Sequence, residues 1–267
     1  MPILDRAHLT CLTWNIALAK PSNCAPSSWQ IGRSQRQREA LLKEILDANA
    51  DVLALQEVPY PEWEDEFLLN HGYVRIGSTQ SHCGWVLLLL RIELTFLVQK
   101  HVCIGPTVLA KLQTSAEDVL WLSSSHLAPF KDNAGLRLRQ LQAVVQYCEQ
   151  QKDSAWILCG DLNLRKEENI SVEQSPRQGT LLDAWKAAGA PRHTKYTWNS
   201  KKNLFHPKTF GFVARFDRVY FYSDTLKVQT FALLANKPLS HNAHFISDHF
   251  GIVTTFTTNA SNEHTCQ

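Results

Sequence analysis

The chain has no CxxC pair and no evenly spaced set of cysteines. Its seven (Cys11, Cys24, Cys83, Cys103, Cys148, Cys159 and Cys266) are odd in number and widely scattered, so neither a disulfide framework nor a zinc site is expected. No apolar run approaches the roughly 20 residues needed to span a bilayer. The longest, Trp85 to Leu90, stops at Arg91 and reads as a buried strand, which leaves the membrane out of the expected partners. The opening MPILDRAHLT lacks a basic stretch leading into an apolar core. No secretory leader is read there, and an intracellular location, nucleus or cytoplasm, is expected. With a net charge of only +2, nothing global recruits a polyanion, so affinity for nucleic acid has to come from local clusters. Repeats and low-complexity tracts are absent.

What is present belongs to an ordinary globular protein: 44% apolar and 19% charged residues in a chain of 267, enough for a large core without cross-links. One domain over 1–267 is expected, with its core at about 9–256. Apolar runs at Leu9–Ile16, Asp51–Val58, Gly72–Ile76, Gly84–Arg91, Leu94–Val102, Val108–Leu112, Val119–Ser125, Trp156–Cys159, Phe216–Tyr222 and Phe250–Phe256 read as strands. Helical spacing of apolar residues marks Ser34–Ala48 and Leu136–Gln150, and shorter helices are expected at Glu62–Leu69 and Thr180–Ala188. The stretch around Pro21, Ser22, Pro26, Ser27 and Ser28, and the polar stretch Arg165–Gly179, read as loops. Strand meanders mixed with helices point to an α/β sandwich, layered sheets flanked by helices.

Polar groups gather where these apolar runs stop. Glu57 ends ADVLALQEV and Asn15 follows Trp14 in TWNI. A strand-end carboxylate beside an amide suits a magnesium shell of hard oxygens, although each alone is equally an ion-pairing glutamate or a turn-capping asparagine. In GDLN, Asp161 and Asn163 lie two apart. On an extended chain they leave on one face, able to hold and deprotonate a water for attack on phosphorus; an Asx turn closing the strand is the competing reading. Ser247-Asp248-His249 joins a carboxylate to an imidazole, Asp217 in RFDRVYF offers an acid to orient that ring, and His126 in SSSHLAPF is a further donor. Such histidines stabilise charge building on a phosphoryl oxygen, while any one of them singly is more often a satisfied interior or surface residue.

The ordered set TWN, LQE, SHL, GDLN, FDR and SDH resembles the endonuclease/exonuclease/phosphatase superfamily, from about Leu9 to about Phe256. The resemblance implies a DNase I-like four-layered α/β (α+β) sandwich of two packed, mainly antiparallel sheets flanked by helices, with the active site at one end. It implies Glu57 as principal Mg2+ ligand, with Asn15 lining the same site, Asp248 by the metal, and Mn2+ as the expected substitute ion. Asp161, helped by Asn163, would position the water, and His126 and His249, the latter held by Asp217, would stabilise the pentacovalent phosphorus. A monomer is implied.

Within the superfamily, GDLNLR followed by YTWN, RFDRVYF and SDHFG looks most like the 5′-tyrosyl-DNA phosphodiesterase branch. That branch implies DNA 5′ ends, single-stranded or overhanging, as partner, and Arg165, Trp198 and Phe216 as substrate contacts. Between Lys186 and Arg215 the chain carries Lys186, Arg192, Lys195, Lys201, Lys202, Lys208 and Arg215 with no Asp or Glu, interleaved with Tyr196, Trp198, Phe205, Phe210 and Phe212. That pattern suits a single strand stacked on aromatic faces, or a basic loop whose aromatics pack inward. Ala17 and Leu18 stand where the branch commonly has Asp-Gly, and Pro129 where it has a small hydroxyl residue. No N-terminal ubiquitin-binding module is expected.

Overall fold

The computed structural model describes residues 8–18, 35–114, 118–151, 155–174, 181–205, 211–239 and 245–258. Two six-stranded sheets face each other. The first runs β13 (Leu226–Leu234), β14 (Gly251–Thr258), β1 (His8–Asn15), β2 (Val52–Val58), β4 (Trp85–Arg91), β3 (Tyr73–Gln80). The second runs β5 (Val98–Ile104), β6 (Thr107–Gln113), β7 (Val119–His126), β8 (Ala155–Asp161), β12 (Asp217–Ser223), β9 (Leu182–Asp183). Pairing is antiparallel except between β1 and β2 and between β7 and β8, so both sheets are mixed.

The period-2 alternation of strands decides the layers. In β2, Val52 and Ala54 face the core between the sheets, together with Leu88, Leu122, Ile157 and Phe256. Leu53 and Leu55 face the other way, onto Leu41 and Ile45 of helix α1 (Gln35–Asp47). In β8, Ile157 and Cys159 face inward, while Trp156 and Leu158 meet Leu141, Val144 and Val145 of α3 (Ala134–Gln151). The result is helix, sheet, sheet, helix.

Several elements differ from the sequence reading. Residues 92–97 form a 3-10 helix that buries Leu94 and Leu97, three apart, before β5 begins. Residues of the stretch 165–179 include helix α4 (Lys166–Gln174), whose first turn holds Glu167 and Glu168; acids there favour the helix N-terminus. The expected helix over 180–188 is shortened to α5 (Ala184–Ala187), because Leu182 and Asp183 pair with β12 and Asp183 then caps Trp185 N–H. β13, absent from the sequence reading, is an edge strand that is partly exposed and packs Val228, Phe231 and Leu233 against the core. Helix α2 (Asp65–Asn70), two short strands, β10 (Trp198–Asn199) and β11 (Val213–Ala214), and 3-10 turns at Lys131–Asn133 and Arg192–Thr194 complete the described elements. The loop around Pro21 and Pro26, residues 175–179, and Lys208 and Phe210 lie outside the described residues.

Candidate active site

Three neighbouring strands of the second sheet end in one row of ionisable groups: His126 pairs with Asp161 across β7 and β8, and Asp161 pairs with Asp217 across β8 and β12. Gly160 makes this row close. It adopts a φ of 146°, and a Cβ there would stand 2.0 Å from the Ser125 carbonyl oxygen, so only glycine lets β8 press against β7 at that point. From the first sheet, β1 delivers Asn15 and β2 delivers Glu57. Glu57 adopts a left-handed φ of 53° where the β2–β4 register shifts, a bulge that re-aims its carboxylate.

Asp161 is the hub. Its Oδ2 accepts from Asn15 Nδ2 at 3.0 Å and lies 3.6 Å from the Nε2 atoms of both His126 and His249. Its Oδ1 accepts the Asn163 N–H at 3.0 Å. GDLN therefore does close as an Asx turn, and still leaves the second carboxylate oxygen facing the site. Asn163, at φ 52°, donates its side-chain amide to Leu127 O at 3.1 Å. Asn15 also donates to Glu57 Oε1 at 3.0 Å, while its own oxygen accepts Ala17 N–H at 3.0 Å.

The two imidazoles differ in charge. Burial lowers the His126 pKa, with Asp161 offsetting it in part, so the ring is neutral at pH 7. Burial also works against charge on His249, but Asp217, Asp161 and Asp248 together outweigh it and hold that ring well above the usual histidine range. Its Nδ1 donates to Asp217 Oδ2 at 2.8 Å, leaving Nε2–H facing Asp161. Burial raises Asp217 in turn, against the pull of His249. Glu57, about a fifth of its side chain exposed, is pushed up to about 8 by burial and then by Asp248, partly offset by the Asn15 hydrogen bond.

The donor set suits a hard cation at Glu57. Carboxylates of Glu57 and Asp248 crowd each other, and a divalent ion relieves that repulsion with the oxygen ligands it prefers. Asp161, Asp217 and His249 also offer ligand atoms within 4.8 Å of one another. There His249 Nδ1 and Asp217 Oδ2 already bond each other while Asp217 Oδ1 is left without a hydrogen-bond partner among the described residues, and a charged imidazole disfavours a cation beside it. The Asn15 amide oxygen, engaged by Ala17, reaches a cation only if the amide turns over.

Around this centre sit groups not anticipated from sequence. Trp14 Nε1 donates to His249 O at 3.1 Å, and Ser247 Oγ donates to Asn15 O at 2.7 Å; these bonds tie the SDH segment to β1. Ser81 Oγ lies 3.1 Å from His126 Nδ1. Arg137 is fully buried, pairs with Glu168 through two hydrogen bonds of 2.9 and 2.7 Å, and donates to the carbonyls of Ala128 and Phe130. One signal for Arg137 was in the sequence: it sits four residues before Leu141 on the apolar face of α3.

Of the expected substrate contacts, Trp198 stands with its ring 5.0 Å from that of His249. Phe216 is 6.1 Å from Trp198, Phe212 stacks on Trp198 at 6.0 Å, and the Arg165 guanidinium is 5.8 Å from the Phe216 ring. Phe216 is buried and Phe212 exposed, so the aromatics of this segment form a wall that partly packs inward and partly faces solvent.

Comparison with known proteins identifies the family. The Endonuclease/Exonuclease/phosphatase family model fits residues 12–249. Tyrosyl-DNA phosphodiesterase 2 of Mus musculus is 33% identical over 95% of this chain and 67% of its own length, and the Xenopus laevis protein of that name is 28% identical over 94% and 67%. The crystal structure of D. rerio TDP2 complexed with single strand DNA product superimposes with a TM-score of 0.76 at 24% identity, covering 95% of this chain and all of that one. On the matched span and the identity to the mouse relative, the chain belongs to the endonuclease/exonuclease/phosphatase family, grouped with the tyrosyl-DNA phosphodiesterase 2 proteins.

Proposed function

We propose that the protein is a Mg2+-dependent phosphodiesterase that hydrolyses the bond between a tyrosine and a DNA 5′ end, leaving a 5′-phosphate, in repair of topoisomerase adducts. The observation that carries the chemistry is the Asp161 carboxylate held 3.6 Å from the Nε2 atoms of both His126 and His249. The DNA reading draws on the relatives' names and on the single-strand product in the D. rerio structure.

Asp161 orients and deprotonates the attacking water, and Asn163 and Asn15 fix its carboxylate. His249, kept charged by Asp217, donates Nε2–H to a phosphoryl oxygen as charge builds there. His126 donates from its own Nε2 in the tautomer in which the Ser81 hydroxyl gives its proton to Nδ1, a donation that competes with the Cys83 and Gly84 carbonyls the same hydroxyl reaches. Glu57 and Asp248 would hold Mg2+, which would supply neutralisation of phosphate charge and assistance to the leaving oxygen, and Mn2+ is expected to replace it. Lys195, Lys201 and Lys202, all exposed, flank the Trp198 wall and suit the DNA backbone, with Arg165 at the wall's base. The protein acts as a single-domain monomer inside the cell, in nucleus or cytoplasm. That location is in keeping with the free thiols of Cys11, Cys83, Cys103, Cys148 and Cys159. No described helix is long and apolar enough to cross a membrane.

The test is to incubate the protein with Mg2+ and two labelled oligonucleotides, one carrying a 5′-phosphotyrosine and one an internal abasic site. Release of tyrosine with a 5′-phosphate left behind, lost on chelation, is the expected result. Cutting at the abasic site alone would move the protein to a nuclease role, and inertness to both would point to a small phosphoester.

A further inference from the structure

The reaction proposed above has two organic arms on one phosphorus, and the Trp198 wall accounts for one of them. It lies beyond His249 and Asp217, on the β12 side of Asp161. On the other side of Asp161, beyond β7, stands a second aromatic pair: the rings of His82 and Phe130 meet edge to face at 6.2 Å. His82 follows Ser81, whose hydroxyl touches His126, and it is close enough to depress the charge on that ring. Phe130 lies four residues past His126. Both are exposed, Phe130 at 56%.

Phe130 is held there against its own preference. Its backbone adopts φ 68°, ψ 155°, a region that suits glycine and is strained for a bulky residue. The fully buried Arg137 holds it in place by donating to the carbonyls of both Ala128 and Phe130. An exposed phenyl group on a strained backbone, tied down by a buried guanidinium, is costly unless the ring is wanted at that spot.

In-line displacement puts the leaving group opposite the water held by Asp161, toward Glu57. The turn that carries His82 lies on that side, because β4, which it leads into, pairs with β2 at Val58 and Trp85. We infer that His82 and Phe130 form the binding subsite for the aromatic leaving group, the phenol ring of the tyrosyl adduct. The inference rests on the phosphodiesterase reading and adds to it the place of the tyrosine.

The experiment compares two oligonucleotides of one sequence, one with a 5′-phosphotyrosine and one whose 5′-phosphate is esterified to trifluoroethanol, an acidic but non-aromatic alcohol. Phe130→Ala and His82→Ala are assayed on both beside wild type, with thermal melting as the folding control. Ring stacking predicts that each variant loses about 5- to 10-fold in kcat/KM on the tyrosyl substrate and less than about 2-fold on the trifluoroethyl one. Phe130→Trp should recover the tyrosyl rate. Equal losses on the two substrates, or no loss on the tyrosyl one, would overturn the subsite while wild-type turnover upheld the phosphodiesterase reading. A wild type inert to both substrates would sink the two readings together.

Discussion

Glu57→Gln separates what the site costs the fold from what it does for turnover. In the metal-free protein Glu57 is shifted from 4.5 up to about 8, first by burial and then by Asp248. The sign follows from which state ionises first. Below pH 4.5 the carboxyl is protonated in folded and unfolded chains alike, and it takes nothing from stability. As pH rises above 4.5 the unfolded state ionises while the folded state does not, so stability falls until the folded group also ionises near pH 8. At pH 7 roughly two and a half pH units of that interval have been crossed, which at about 1.4 kcal/mol per unit is about 3 kcal/mol.

Removing the charge should return most of that. The glutamine side chain keeps an amide oxygen as acceptor for Asn15, whose Nδ2 reaches Glu57 Oε1 at 3.0 Å. Metal-free Glu57→Gln is therefore expected to melt about 5 °C above wild type at pH 7, with the advantage vanishing toward pH 4. Mg2+ at about a thousand times its Kd should reverse the order, because wild type then gains about 4.1 kcal/mol and the variant loses a ligand charge. Calorimetry in EDTA and in Mg2+ across pH 4 to 8.5 reads all three trends, alongside the expected collapse of Mg2+-dependent turnover. Equal or lower metal-free stability of the variant at pH 7 would refute the account of Glu57 as a crowded, cation-seeking carboxylate.

Other expectations follow from the same geometry. Asp161→Asn keeps the shape but removes the charge between the two imidazoles, so turnover should fall by at least about 10²-fold with DNA binding by gel shift retained; near-normal turnover would remove Asp161 from the water-positioning role. Gly160→Ala places a Cβ 2.0 Å from the Ser125 carbonyl oxygen, so β7 and β8 must part. Both melting temperature and turnover should drop, and a variant with unchanged melting would show that this approach is not tight. Phe212→Ala, at the solvent edge of the Trp198 stack, should cost about 5- to 10-fold on a single-stranded DNA substrate and under about 2-fold on nitrophenyl thymidine phosphate; equal losses would make the wall structural.

The strands and long helices were legible because each rests on a local rule. Val52–Val58 alternates between two cores, α3 shows its stripe of Leu141, Val144, Val145 and Cys148, and polar residues mark where strands stop. Local rules falter where tertiary partners override propensity. Leu182 and Asp183 became a strand because β12 was there to pair with, and β13, at a partly exposed edge, offers only the short run Phe231–Leu234 after the mixed segment Leu226–Thr230. The polar stretch after Arg165 reads as loop, although part of it is helix α4 with Glu168 turned inward to Arg137.

The site was legible as a set of residue types but not as a set of contacts, and the difference lies in what each strand end cannot know. Nothing in GDLN says that its carboxylate will meet His126 from β7 and His249 from the loop before β14, or that one ring will be charged and the other neutral. That asymmetry arises from Asp217, one strand further along, which supports His249 alone. Nor does the sequence mark the left-handed backbone at Glu57, Asn163 and Phe130, since none of the three is glycine. Glu57 and Phe130 are strained there, and such strain persists only where surrounding structure holds it. For Phe130 that surrounding structure is Arg137, a charge buried 7 residues along the chain to hold a loop rather than to touch a substrate. The chemistry of this protein is therefore written in its strand ends, and the precision of that chemistry in the buried pairs behind them.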